Sequence, residues 1–282
     1  MTDEYLKTEN GMNIAYDRRG TGPVVILIGG AGQFRAVDPA TAELTDRLGE
    51  HGWTVIHSDR PGRGDSGGDR PFTLAGEVAA VRALIAAHGG QATLYGSSSG
   101  AAIALAVAAA DPGVRGLLLW EAPLGEENGT DGADYLAELR PVIAGGDPEA
   151  ILAHFMADMP PEWFRAMRDG AHWPLFARMA PTVQADAEAL AWTQSTPRRD
   201  LWRSVTRPVY VLLGRDAPEF FQAAADSLVA NLAQARRVEV PGSGHTWPAG
   251  EMADALDRLL RSATSTGVPL SSSREDRGVT MP

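Results

Sequence analysis

Three serines bracketed by two glycines carry the strongest chemical signal in the chain. Gly96-Ser97-Ser98-Ser99-Gly100 follows the apolar run Ala92 to Tyr95 and leads into an Ala-rich stretch ending at Ala110. This reads as strand, tight turn and helix, with Ser98 at the centre of G-x-S-x-G. A strand turning sharply into a helix strains the residue at the turn. It also requires neighbours without side chains two positions before and after. The geometry lifts a hydroxyl above the sheet edge at a helix start, whose free N–H groups favour developing negative charge. Ser98 is therefore the candidate nucleophile. The competing reading, a serine-rich helix cap, leaves the second glycine unexplained.

A serine hydroxyl needs a base, and the base needs a carboxylate to orient it. Of the six histidines, only His245 follows a late strand through a glycine-flexible loop, Val240-Pro241-Gly242-Ser243-Gly244-His245. That strand end is expected on the same sheet edge as Ser98. His51 and His88 close helices beside glycine and read as cations compensating the helix dipole. His57 sits within a strand as a structural residue, and His154 and His172 fall among later helices. Two carboxylates lie just beyond strand ends. Glu121 follows the expected strand Val114 to Trp120, whose last four residues are all large and apolar, and a carboxylate there is costly unless paired. Asp216 follows Leu213-Gly214-Arg215. Glu121 is the first choice and Asp216 the second. The oxyanion needs two backbone donors. Ser99 supplies one, and Gly30 or Ala31, in the loop Gly29-Gly30-Ala31-Gly32, supplies the other.

The positioning elements follow from apolar patterning. Short strands flank Asn10-Gly11, a hairpin signal, and Val24 to Ile28 is a β-branched run of the kind buried on both sheet faces. Strands are also expected at Trp53 to His57, Val209 to Leu213 and Arg237 to Val240. Between them lie helices at Asp38 to Glu50, Phe72 to His88 (capped by Thr73), Pro218 to Leu232 and Gly250 to Arg261. This alternation predicts a mostly parallel, doubly wound sheet. From about Leu124 to Asp200 the rhythm gives way to helical patterns at 134–143, 148–159, 162–169 and 174–192. They are expected to sit as a cap over the strand ends where such sheets bind ligands. Cap residues Trp163, Met167, Trp173, Phe176 and Met179, with Gly32 below, are the expected lining of an apolar substrate pocket. Asp59 to Ser66 reads as a structural turn, with Asp59 and Arg60 bonding neighbouring loops.

Composition narrows the field. With 25 basic and 36 acidic residues the net charge is −11, which disfavours nucleic acid or an anionic membrane as partner. The chain has no cysteine, so disulfide and thiolate chemistry are excluded. No metal-ligand spacing, dinucleotide fingerprint or phosphate loop is found, and no cofactor is expected. The acidic N-terminus lacks an apolar signal region, so the expectation is a cytoplasmic protein, monomer or homodimer, acting on a small hydrophobic molecule. The domain reading is a core formed by 1–123 and 201–263, a helical cap over 124–200, and a Ser/Thr/Gly-rich disordered tail over 264–282.

Taken in order, Gly29-Gly30, Asp59 to Ser66, Gly96 to Gly100 and Gly244-His245 resemble the landmarks of the α/β-hydrolase superfamily, from about Tyr5 to Arg261. The resemblance implies an eight-stranded sheet flanked by helices, with the cap inserted between strands 6 and 7. In that superfamily the acid usually lies three residues after the glycine ending the seventh strand, and here Ala217 occupies that place. More narrowly, Ser98-Ser99-Gly100-Ala101, Glu121-Ala122-Pro123 and Pro241-Gly242 to His245 resemble zearalenone-type lactone hydrolases. Those use the glutamate after the sixth strand as the triad acid. Their cap carries a tryptophan that packs on the substrate where this chain has Phe176. The resemblance implies a serine hydrolase cleaving an ester or lactone through an acyl-enzyme. The same triad also serves C–C hydrolysis, cofactor-free haloperoxidase-like chemistry and cyclisation, and the same fold serves non-catalytic receptors.

Overall fold

A computed structural model of the chain describes residues 4–265. Eight strands form one sheet in the order β1-β2-β4-β3-β5-β6-β7-β8. They are β1 (Glu4–Lys7), β2 (Asn13–Arg19), β3 (Val24–Ile28), β4 (Thr54–Ser58), β5 (Ala92–Ser97), β6 (Val114–Trp120), β7 (Val209–Leu213) and β8 (Ala235–Glu239). The β1–β2 hairpin and the β2–β4 pair are antiparallel; every pairing from β4 through β8 is parallel. The helices of the core are α1 (Pro39–Glu50), α2 (Leu74–Ala87) and α3 (Ser99–Ala110), then α10 (Glu219–Asn231) and α11 (Ala249–Ser265). Between β6 and β7 the cap contributes α4 (Asp131–Gly145), α5 (Pro148–Phe155), α6 (Pro161–Asp169), α7 (Trp173–Met179), α8 (Val183–Trp192) and α9 (Arg198–Leu201).

The strand side chains alternate between two buried layers, as the period of two requires. Ile26, Leu94, Leu117, Leu119, Val209 and Val211 face one layer, filled by α2, α3 and α10. Leu27, Tyr95, Leu118, Trp120, Tyr210 and Leu212 face the other, filled by α1 and α11. A third cluster lies within the cap, where Leu139, Ile151, Met179 and Val183 pack with Phe34 from the core.

Local chemistry sets the helix boundaries. Asp38 accepts from the Thr41 amide ahead of Pro39, and Thr73 accepts from the Gly76 amide, each satisfying a first-turn donor. The expected helix over 174–192 is in fact two, separated by a 3-10 turn at Ala180–Thr182. Pro181 within that turn has no N–H to continue the ladder. The last helix runs to Ser265, past the expected core boundary at 263, and the tail expected beyond it lies outside the described residues. No described helix is long and apolar enough to cross a membrane.

Candidate active site

The parallel register gathers the candidate residues at the carboxyl ends of adjacent strands. Ser97 on β5 is level with Trp120 on β6, and Trp120 with Leu212 on β7. Ser98 and Glu121 therefore leave neighbouring strands at the same height, and the Ser98 amide donates to the Trp120 carbonyl at 2.9 Å. Ser98 is the turn between β5 and α3, with φ 53° and ψ −126°. Close packing explains its flanking glycines. A Cβ on Gly96 would stand 2.6 Å from the Ala101 Cα, and one on Gly100 would stand 2.3 Å from the Ile28 carbonyl oxygen. Among the described residues only four non-glycines adopt positive φ: Ser98, Glu121, His245 and Asn128. Backbone strain of this kind persists where the surrounding structure over-determines it, often at a functional site. Here it marks all three members of the expected triad.

Glu121 is 1% exposed, and both of its oxygens are engaged. Oε2 lies 2.5 Å from Nδ1 of His245, and Oε1 accepts from the Gly214 amide at 3.1 Å. A carboxylate only accepts hydrogen bonds, so Nδ1 carries the proton and Nε2 is left as the basic nitrogen. The imidazole is also stacked on Phe221, with centroids 4.8 Å apart and planes 11° apart. It lies nearly parallel to Trp120 at 6.5 Å. Asp216 is exposed and accepts from the Ser243 hydroxyl at 3.2 Å, and among the described residues no hydrogen bond or ion pair joins it to His245. No hydrogen bond joins Ser98 Oγ to His245 among the described residues. Such bonds are often long in enzymes without substrate and tighten on binding.

The expected oxyanion donors divide differently from the sequence reading. The Gly30 amide is already committed to the Gln33 side chain, at 2.6 Å from Oε1, and so is not free to stabilise an oxyanion. Ala31 and Ser99 keep amides with no acceptor among the described residues. Gly30 has a steric role instead, since a Cβ there would come within 2.9 Å of the Ser98 Cβ.

Beneath this loop lies a buried ion network that sequence reasoning missed. Asp186 on α8 is fully buried and accepts from Arg60 Nη1 at 2.7 Å, Arg63 Nη2 at 2.5 Å and Ser99 Oγ at 2.7 Å. Arg60 also donates to Glu77 at 2.9 Å and to the Gly29 carbonyl at 3.1 Å. Burial pushes the Asp186 carboxyl upward, but the two guanidiniums and the Ser99 hydroxyl reverse the shift, and the net direction is down. Burial and the neighbouring Arg60 lower Arg63 against the pull of Asp186 and Glu77. The stretch Asp59 to Ser66 is thus more than a turn. Its arginines were visible in the sequence, but their partner, in the Ala-rich α8, was not.

Of the expected pocket lining, Gly32, Met167 and Phe176 come together. The Met167 methyl and the Phe176 ring edge lie 3.8 and 4.0 Å from where a Gly32 Cβ would be. Phe176 also meets Phe34 edge-on at 5.8 Å. Trp173 is half-buried against the cap core. Two expected lining residues are placed otherwise. Met179 is a core residue of the cap at 1% exposure, and Trp163 turns outward at 45% exposure. Among the remaining histidines, His88 does not fit the cationic reading. It is half-buried edge-on to Tyr16, and burial and Arg18 lower its pKa. No cluster of potential metal ligands occurs among the described residues.

The alpha/beta hydrolase family matches residues 25–259. A crystal structure of an alpha/beta hydrolase from Sphaerobacter thermophilus is 30% identical, with a TM-score of 0.78, covering 91% of this chain and all of that one. An esterase from Exiguobacterium antarcticum superposes with a TM-score of 0.63 at 19% identity, covering 94% of this chain and 99% of that one. An enol-lactonase from Burkholderia xenovorans gives 0.61 at 19%, covering 93% and 100%. At that identity the last two show the shared fold alone. Among curated proteins none matches the sequence significantly.

Proposed function

The chain belongs to the alpha/beta hydrolase family, and from that premise we propose a serine hydrolase that cleaves a carboxylic ester or lactone of a hydrophobic small molecule. The observation that carries the reading is the 2.5 Å contact between His245 Nδ1 and Glu121 Oε2, with the second carboxylate oxygen held by the Gly214 amide. It leaves Nε2 as a base on the strand-end edge where Ser98 stands. In the proposed reaction Nε2 takes the Ser98 proton as Oγ bonds to the carbonyl carbon. The carbonyl electron pair moves onto oxygen, where the Ala31 and Ser99 amides receive it. Collapse expels the alkoxide, which takes the proton from Nε2. Water, deprotonated by the same nitrogen, then bonds to the acyl carbon; the carbon–Oγ bond breaks, Ser98 Oγ takes the proton back from Nε2, and the acid is released.

A hydrophobic substrate is supported by Gly32, Met167 and Phe176, which present apolar surface beside the oxyanion loop. The glutamate as triad acid and the Ser-Ser-Gly-Ala elbow favour a lactone of the kind taken by zearalenone-type hydrolases. The test combines Ser98→Ala with p-nitrophenyl acetate, a serine-directed fluorophosphonate and a panel of aryl lactones and linear aryl esters. The wild type is expected to hydrolyse the ester and label once, at Ser98, and the variant to do neither while unfolding at the same temperature. Turnover retained in Ser98→Ala would refute the assignment. Lactones are expected to exceed linear esters of equal size in kcat/KM.

A further inference from the structure

We propose that Arg63, held by the cap carboxylate Asp186, is a positioning residue that locks the Gly30–Ala31 peptide with its N–H turned toward the nucleophile. The inference rests on the serine-hydrolase reading above. The carbonyl of Gly30 and the amide of Ala31 belong to one planar trans peptide, so fixing the oxygen fixes the opposite N–H. That oxygen accepts from Arg63 Nη1 at 2.8 Å, from the Gln33 amide at 3.2 Å and, at the limit, from Arg60 Nη1 at 3.5 Å. The preceding peptide is pinned at both ends. Its carbonyl, on Gly29, accepts from Arg60, and its N–H, on Gly30, donates to Gln33. Of the polar groups of these two peptides, the N–H of Ala31 alone has no partner among the described residues, which is the arrangement an oxyanion donor needs.

The loop is otherwise prone to turn over. It runs Gly29-Gly30-Ala31-Gly32, with Gly32 at φ 74°, and the glycine on the N-terminal side of the Gly30–Ala31 peptide lowers the steric cost of rotating it. A flipped Gly30–Ala31 peptide would direct a carbonyl oxygen, rather than a donor, at the developing negative charge. Arg63 opposes the flip because its guanidinium is immobilised on every edge. Nη2 is bonded to Asp186, Nε donates to Thr182 Oγ1 at 3.0 Å, and the side chain is 0% exposed. A planar fork with several fixed partners holds a carbonyl more firmly than a flexible ammonium does. The same Asp186 takes the Ser99 hydroxyl, on the residue whose amide is the second donor. One carboxylate on α8 thus ties the seating of the cap to both halves of the oxyanion hole.

Arg63→Met and Arg63→Lys test the proposal. Active sites are counted by end-point labelling with the fluorophosphonate, so that misfolded protein drops out. Turnover of p-nitrophenyl acetate per labelled site and the affinity of an aryl trifluoromethyl ketone, which forms a tetrahedral adduct, are then measured. Loss of one oxyanion donor costs about 10²–10³ in kcat. Partial loss of its orientation is expected to cost about 10- to 100-fold in Arg63→Met, with KM within about threefold and ketone affinity falling in parallel. Arg63→Lys is expected to recover part of the loss. If the single variant does not fold, Arg63→Met with Asp186→Asn removes one charge of each sign and leaves Arg60 paired with Glu77. The same kinetic loss is expected per labelled site. Unchanged turnover and ketone affinity per site would overturn the clamp while the nucleophile reading stood. Failure of the wild type to label would overturn that reading and the clamp with it.

Discussion

Replacing Glu121 by glutamine changes one oxygen to an NH₂ group in a position where both oxygens are already accepting. The Gly214 amide donates to one at 3.1 Å and His245 Nδ1 lies 2.5 Å from the other. A glutamine can serve only one of these donors. If its oxygen stays with Gly214, its NH₂ faces Nδ1, which must then accept. The ring proton moves to Nε2 and the imidazole can no longer take the serine proton. If its oxygen turns to Nδ1, the tautomer is preserved but the NH₂ opposes the Gly214 N–H in a buried site. That orphaned pair costs about 1–3 kcal/mol, and the lost charge-assisted bond costs about 1.5–3 kcal/mol more. The second arrangement thus removes roughly 2.5–6 kcal/mol from the reactive state, about 10²–10⁴ in kcat at 1.36 kcal/mol per decade, and the first removes the base outright. Asp216→Asn touches only the exposed Ser243 hydroxyl and is expected to stay within about twofold, as for a surface change. The assay is p-nitrophenyl acetate hydrolysis per labelled site, with thermal unfolding run alongside. A larger loss in Asp216→Asn than in Glu121→Gln, or less than a tenfold loss in the latter, would refute the assignment of the acid.

Other perturbations have equally definite outcomes. Phe221→Leu keeps most of the buried volume but removes the face stacked on His245. An aromatic contact is worth about 0.5–1.5 kcal/mol, so kcat is expected to fall about two- to tenfold, with a smaller relative change in KM. Gly100→Ala drives a methyl to 2.3 Å from the Ile28 carbonyl and 2.7 Å from that of Gly29. Overpacking of this kind costs about 1–3 kcal/mol or more, read as a lowered unfolding temperature. The buried His57 has its pKa pushed below the ordinary 6.5 by burial, with Arg35 adding to the shift and Asp38, Asp59 and Asp17 opposing it. The unfolded chain therefore binds the proton first. Stability is fully present above about pH 6.5 and is lost as pH falls through the depressed folded value. Urea midpoints are expected to decline on acidification, and His57→Gln to flatten that decline; an unchanged slope would refute the burial argument.

What the chain determines by itself is the local chemistry and the sheet. Strands β3, β6 and β7 match their expected limits residue for residue. Fully buried strands announce themselves by composition, without help from distant contacts. The elbow is legible for a related reason: the crowding at Gly96 and Gly100 acts over a few residues and leaves glycines as its mark. Glu121 was legible because a carboxylate ending an apolar strand demands a partner. What only the tertiary structure decided are contacts between positions remote in sequence. Gln33 takes the Gly30 amide and leaves that of Ala31 as the donor proposed for the oxyanion. Phe221 supports the imidazole from a helix with an ordinary amphipathic pattern. Cap aromatics that look alike in sequence part company, with Met179 inside and Trp163 outside. Asp186 gives no local sign of its role, because a buried ion cluster is balanced by charges brought from other elements. That balance exists only once the cap has closed on the core.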